Sequence, residues 1–517
     1  MKKRPILRPF AVAVAMASTG LLAVPSARAA DAEWTLLNAN GNWNTNGNWT
    51  PAAFPGAVSP STTSTDTASF TQDITGGANI TVTIPGNFNI GNITFGHGTD
   101  TYGYVLGAQA ARYISLSDGG MISQTGTGNH DDSFGSKIHI EGDGGSATFK
   151  NDSSSSGLTF GKSVEGVATA GNTTTLYLDG TSTLNSIGGQ NTTIGVIGDG
   201  SNGGKLAVVK NGVGLWTLNG NNTFTGGLTV NAGTIRYFGA GNNSFGMGTV
   251  TIADGVSFQK ANSSAVIIDN AMTVNGNFRF FGNDVGNDWS GTMDLAGGTR
   301  TITADADLTI SGVISNGGLT KAGTDILTLS NTNTYTGATT VSAGTLTVTG
   351  TGSINTSSGV SVANSATLTN DSSTSFATGL TLAEGATVNG TGAFAPTALT
   401  LTADLSDGFT TFAFGGTSFA KGNGLELTLS GIMGGDYTLF SGSALTGAFT
   451  SLSIGGNALT DDGGGDFSGT VGGFDYAFVN GTNILSVTAV PEPSAWALMA
   501  GGLAVVVILR RRRTARA

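Results

Sequence analysis

The sequence predicts an all-β chain built as an elongated β-solenoid, and three observations carry that reading. Short runs such as ITVTI, TLYLD and LTLSG place apolar residues at alternate positions, which is the period of a half-buried strand. Glycine reaches 83 of 517 residues while charged residues make up only 11%, so turns are frequent, and no amphipathic helix is legible between residues 30 and 490. A block of thirty residues also returns farther along in the same register, as a stacked architecture requires. A single core would be unusual for a body of about 460 residues.

Taken in order, residues 1–29 read as a secretory leader and not as part of the fold. Lys2, Lys3, Arg4 and Arg8 form its positive region, Phe10 to Val24 its apolar region, and Ala27-Arg28-Ala29 the small-x-small pattern at which signal peptidase cuts. Ala27 and Ala29 are therefore the expected cleavage determinants. Residues 30–130 form an amino-terminal β region. There Trp34, Trp43 and Trp49, with Pro51, Pro55 and Pro60, break the repeat style. Aromatic rings near a solenoid end are expected to pack as a cap over its open edge, in preference to stacking on a glycan.

Residues 131–399 are assigned to the solenoid, with its clearest repeats at 208–237 and 319–348. Aligned without a gap, the two copies share thirteen of thirty positions. The framework runs from Lys210 and Lys321 through Gly212 and Gly323 to Thr217-Leu218 and Thr328-Leu329. It continues through Asn222-Thr223-Phe224-Thr225-Gly226 and Asn333-Thr334-Tyr335-Thr336-Gly337, and ends at Ala232-Gly233-Thr234 and Ala343-Gly344-Thr345. Each copy reads strand, turn, strand, turn, strand, with Gly and Asn at corners because they tolerate positive φ. A unit this short buries its apolar face only by stacking on neighbours. Coils of about 20–25 residues spaced at about 4.8 Å give a rod of roughly 80–110 Å. The copies resemble the autotransporter-associated β-strand repeat, whose pattern is Lys-x-Gly, Leu-Thr-Leu, Asn-Thr-Tyr-Thr-Gly and Ala-Gly-Thr-Leu. That resemblance implies a right-handed parallel β-helix of the kind found in secreted passenger domains. A carboxyl-terminal membrane barrel is not legible in the text, so self-export is not expected.

Residues 400–489 change style again, with TTFAFGG, YTLFSG and FDYAFVNGTNILSVTAV. They are expected to form a terminal β cap region. Residues 490–517 close the chain with Pro491, Glu492, Pro493 and Ser494, an uncharged apolar run at 495–509, and Arg510, Arg511, Arg512 and Arg513. Fifteen helical residues reach about 22 Å, short of a hydrocarbon core of about 30 Å, a gap that arginine snorkelling closes. The arginines act as a membrane stop held in the cytoplasm. The prolines keep the preceding segment extended, as a protease substrate should be. This tail resembles a PEP-CTERM sorting signal, which implies processing by an exosortase near the Pro-Glu-Pro.

Charge excludes one class of partner. Ten of the 22 basic residues lie in the two ends, against Glu492 alone among the 33 acids, so the body from 30 to 490 carries 12 basic and 32 acidic residues, net −20. A nucleic-acid binder needs the opposite sign. The absence of cysteine excludes disulfides and thiolate ligands. Three histidines occur, His97, His130 and His139. The Gly-His-Gly at residue 97 and the pair Asp131-Asp132 resemble polygalacturonase elements, but their order is reversed and no basic motif follows, so no catalytic residues are assigned. Asp305 and Asp307, and Asp461, Asp462 and Asp466 among glycines, read as solvated turns and not as a calcium site of six to eight oxygens. No metal and no cofactor are expected.

The expected function is that of a non-enzymatic cell-envelope or extracellular-matrix protein, structural or adhesin-like. Signal peptidase and an exosortase are its processing enzymes, and exopolysaccharide or cell-surface components its contacts. It is held in the membrane by its carboxyl-terminal helix before processing, after which attachment to the envelope and release as an exoprotein are both open. The alternative is a surface-sorted β-helix polysaccharide lyase or hydrolase.

Overall fold

A computed structural model describes residues 31–58, 64–98, 100–107, 112–188, 195–238, 243–406, 408–415, 418–421, 424–442 and 445–491, with Leu503, Ala504, Val506 and Val507 of the tail. Ahead of the tail, the described elements are strands apart from one 3-10 turn, Asn46–Asn48. The leader with Ala27 and Ala29 lies outside the described residues. So do Glu492, Pro493, Ser494 and Arg510 to Arg513. Among the described residues no helix is long and apolar enough to cross a membrane; most of the run at 495–509 falls outside them.

Strands pair in parallel across coils, an arrangement consistent with a β-solenoid. Met272–Val274, Phe278–Gly282 and Asn287–Trp289 follow one another around one coil. One coil later Met293 lies on Met272, Ile302 on Phe278 and Ile310 on Trp289. One such ladder runs from Gly41–Asn42 to Leu452–Ile454, so parallel stacking passes the boundaries at 131 and 399 in both directions. The reason lies in the side-chain pattern. Segments such as Lys205–Lys210 and Ser146–Asn151 bury alternate residues without interruption, and an alternating strand keeps its face when moved by one whole coil. Interior rings continue the stack: Phe160 lies 4.9 Å from Phe134, 4.2 Å from Phe149 and 6.3 Å from Trp216, each nearly parallel.

The repeated block proves to be a two-coil unit. Its second half lies directly on its first, with Lys210 paired to Val230 and Leu215 to Thr234 in one copy. Lys321 pairs to Val341 and Ile326 to Thr345 in the other. Each copy therefore contributes four strands, in two stacked pairs. This differs from the strand-turn-strand-turn-strand reading because the turn after Leu-Thr-Leu carries the chain around to begin the next coil.

The framework residues are the bolts of this unit. Lys321 is fully buried, and its Nζ donates to the carbonyls of Ala322 and Gly323 and, one coil on, of Ala343 at 3.0 Å. Lys210 does the same to Gly212 and Ala232. Three N–H groups of an ammonium thus meet carbonyls that the turn leaves unpaired. Asn333 bridges in both directions: its Oδ1 accepts the amide of Ile314 one coil back, and its Nδ2 donates to Ser353 O one coil forward. Asn222 repeats this with Ile197 and Ser244.

Gly344 is required by this geometry. Its φ is +62°, and a Cβ there would lie 2.5 Å from Gly323 O and 2.8 Å from Lys321 Nζ. Gly344→Ala is expected to cost more than about 1 kcal/mol from the left-handed backbone alone, read as faster amide hydrogen exchange over residues 319–348. Gly379→Ala, where a Cβ meets nothing within 4 Å, should leave exchange in its own coil unchanged.

The stack is bounded at both ends by other packing. Trp34, Trp43 and Trp49 are buried, with Trp49 edge-on to Trp34 at 5.1 Å and to Trp43 at 5.0 Å. At the other end Gly435–Thr438, Ile484–Ala489, Phe474–Val479, Asp466–Val471 and Thr460–Gly463 form one antiparallel sheet. Phe478 of this sheet packs 6.0 Å from Phe449 and 6.5 Å from Phe440. Lys421 Nζ donates across the junction to Asn480 O.

Candidate functional site

Parallel stacking places like residues above one another, so each alternating strand presents a polar ladder outwards. On one face Thr301, Thr320, Thr340, Ser361, Thr381 and Thr400 stand in consecutive register. On another, Thr309, Thr328, Thr347, Thr369 and Asn389 do so. Each ladder side chain is half-buried or exposed. Their hydroxyls lie one strand spacing apart, about 4.8 Å. Beside the first ladder runs an open groove of about 310 Å³ whose floor includes Gly359, Gly379 and Ala398. Such a face offers many equivalent donors and acceptors.

The acids take two structural roles that composition alone does not reveal. Asp143 accepts from both the amide and the hydroxyl of Thr169 one coil on, which holds its carboxyl below the usual carboxylate range. Asp199 binds Thr225 in the same way. Other acids complete turns or pairs. Asp305 meets Arg279 at 2.7 Å, Asp307 accepts the amide of Ile326, and Asp461 that of Gly463. Asp466 accepts the amide of Asn480.

The histidines separate. The His139 ring stacks on Tyr113 at 4.0 Å and lies 3.5 Å from Glu165. That neighbour and Lys137, at 2.7 Å, hold the Glu165 carboxyl down to about 2. His97 and His130, 33 positions apart in sequence, come together. His97 follows the strand Phe88–Phe95, Asp100 lies in the turn before Tyr104–Leu106, and His130 precedes the strand Asp131–Phe134 one coil on. The two rings stack with centroids 3.8 Å apart, 17° from parallel.

A carboxylate stands at each edge of this ring pair. Asp100 Oδ1 is 2.9 Å from His97 Nδ1 and 3.5 Å from His130 Nδ1. Asp132 is 3.2 Å from His97 Nε2 and 3.5 Å from His130 Nε2. Asp132 also accepts from the Tyr104 amide and from Gln124 Nε2. Burial would lower the pKa of His97, but the hydrogen bonds and charges of Asp132 and Asp100 outweigh it and hold the imidazole above its ordinary value. Burial would likewise raise Asp132, yet the two imidazoles and the Tyr104 amide keep it below the usual carboxylate range. Asp131, the other half of the sequence pair, is exposed.

The sorting residues are only partly in view. Ile484–Ala489 ends the antiparallel sheet, and Val490 and Pro491 follow it as exposed residues.

Comparison with known proteins matches two parts of the chain. Residues 208–236 and 319–348 match the family model described as Passenger-associated-transport-repeat. Residues 489–513 match the PEP-CTERM protein-sorting motif. A curated relative, the adhesin BmaC autotransporter of Brucella suis biovar 1 (strain 1330), is 34% identical over 137 residues. The match covers 26% of this chain and 4% of the adhesin, so the chain spans a small fraction of that relative's length. No solved structure gives a match.

Proposed function

Because the chain carries a PEP-CTERM sorting motif behind Passenger-associated-transport-repeats, and is thereby marked for export to the cell surface, we propose that it is a non-enzymatic, adhesin-like scaffold of the cell envelope. In this reading an exosortase cuts near Pro491-Glu492-Pro493, after the helix at 495–509 has delivered the chain to the membrane. The body then stands as a right-handed parallel β-helix among exopolysaccharide or neighbouring cells.

The observation that carries this reading is the sorting motif beginning at residue 489, where the last strand, Ile484–Ala489, ends. The scaffold is joined to its delivery signal with almost no spacer. The threonine ladders supply a mechanism. A repeating array of hydroxyls binds a repeating polymer weakly at each step and usefully in sum. The partial likeness to an adhesin supports the same class. Against catalysis, the His97 and Asp132 side chains are wholly buried, while Asp131 faces out away from them.

Cell fractionation with mass spectrometry of the mature carboxyl terminus tests the proposal. The expected product ends close to Pro491 and lacks Arg510 to Arg513. An intact arginine tail on surface-exposed protein would remove the processing step. Turnover of acidic polysaccharides that is lost in His97→Ala would replace the scaffold by the enzyme reading.

A further inference from the structure

We propose that His97, His130 and Asp100 form a binding site for one divalent transition-metal ion, of the zinc class, buried between adjacent coils near the amino-terminal end of the stack. Their ligand atoms lie within 4.8 Å of one another. An ion with bonds of about 2.0–2.1 Å spaces its ligand atoms about 3.3 Å apart in a tetrahedral shell. The distances from Asp100 Oδ1 to the two Nδ1 atoms, 2.9 and 3.5 Å, bracket that value.

The tautomers follow from Asp132. This fully buried carboxylate only accepts, and it faces the Nε2 atoms of both rings. Both Nε2 atoms therefore carry hydrogen, which is how a carboxylate behind a metal-bound histidine fixes the ring. His97 Nδ1 lies in hydrogen-bond contact with Asp100 Oδ1 at 2.9 Å. A metal ion would take the place of the proton they share, with both Nδ1 atoms and Asp100 Oδ1 facing it.

Two further observations point to a ligand. His130 is 6% exposed, yet its ring nitrogens come no closer than 3.5 Å to the two carboxylates and close no hydrogen bond at that distance, a costly state for a buried polar group. Gly128 permits the close approach of its Nδ1 edge to the Asp100 turn, since a Cβ there would lie 2.5 Å from that atom and 2.7 Å from Asp100 O. Asp100 is anchored independently, because its Oδ2 accepts the amide of Ile74 at 2.6 Å. The donor set of two imidazoles and one carboxylate suits zinc and its neighbours in the first transition row. It does not suit calcium or magnesium, which want oxygen alone. Ligation by both in-plane Nδ1 lone pairs would require the two rings, 17° from parallel, to turn apart at that edge.

The test is metal retention by the full chain in detergent, loaded with Zn²⁺, dialysed and measured by elemental analysis. The expected result is one equivalent retained by wild type and by His139→Ala. At least a tenfold lower affinity is expected in His130→Ala and in Asp100→Asn, the second of which keeps an oxygen for the Ile74 amide. Co²⁺ in place of zinc reads ligation directly in the folded wild type, as visible d–d absorption that Zn²⁺ displaces. Absence of both retention and the cobalt bands in wild type overturns the site, as does retention unchanged in His130→Ala and Asp100→Asn.

Discussion

Lys321→Met is expected to loosen the coils on both sides of residue 321 by about 2–3 kcal/mol, because it leaves the half-buried carbonyls of Ala322, Gly323 and Ala343 without their ammonium donor. The change keeps most of the side-chain volume, so the loss reports the ammonium and not a cavity. A stacked fold opens locally, so the effect belongs to segment 319–348 and not to a global midpoint. Amide hydrogen exchange over that segment should speed up by on the order of 100-fold. Lys205→Met, at an exposed position, should change nothing.

The same lysine gives a pH dependence of defined sign. Burial lowers the Lys321 and Lys210 ammonium groups to about 8 in the folded chain, below their ordinary value of 10.5. Between those two values the unfolded chain holds protons that the folded chain has released, so stability contributed by these groups rises with pH across that window. Below pH 8 both states are charged and the contribution is flat. Subtracting the Lys321→Met profile from that of wild type isolates this rise from the buried tyrosines, whose hydroxyls burial pushes up.

The second large effect belongs to Phe160→Ala. This ring is wholly buried and lies within 6.3 Å of Phe134, Phe149 and Trp216. Its removal opens a cavity that rigid flanking ladders cannot close, at about 3–5 kcal/mol. Lost exchange protection should reach the strands Asp131–Phe134 and Leu215–Leu218 but not Leu380–Ala383, far along the stack. Val213→Ala, at a position 70% exposed, serves as the neutral control.

Much of the fold was legible in the sequence because alternation and repetition are local in the text. The gap-free match of 208–237 to 319–348 became, in the structure, an identical register of stacked pairs. The role of Lys210 and Lys321 was hidden, since a lysine between strands reads as solvated; its acceptors are backbone carbonyls, invisible to side-chain reasoning. The meeting of His97 with His130 was hidden for a related reason. Their 33-residue separation exceeds a coil of about 20–25 residues, and it is the turns ahead of Tyr104–Leu106 and Asp131–Phe134 that bring the two rings together. Of the pair Asp131-Asp132, alternation alone shows that only one faces inward; which one depends on the phase of the strand, set by Phe134 in the core. The threonines at alternate positions were visible as composition, but their alignment into ladders depends on coil length, which varies along the chain.

The body stacks short parallel coils and is expected to stand as a rod. At about 4.8 Å per step, the ladder from Gly41–Asn42 to Leu452–Ile454 is roughly 80 Å long. A compact globule of the same length has a radius of gyration of about 23 Å. Small-angle X-ray scattering from residues 31–490 should give a rod-like cross-section and a maximum dimension of at least about 80 Å. A symmetric distance distribution with a maximum dimension of about 60 Å, the diameter of that globule, would contradict a stacked rod.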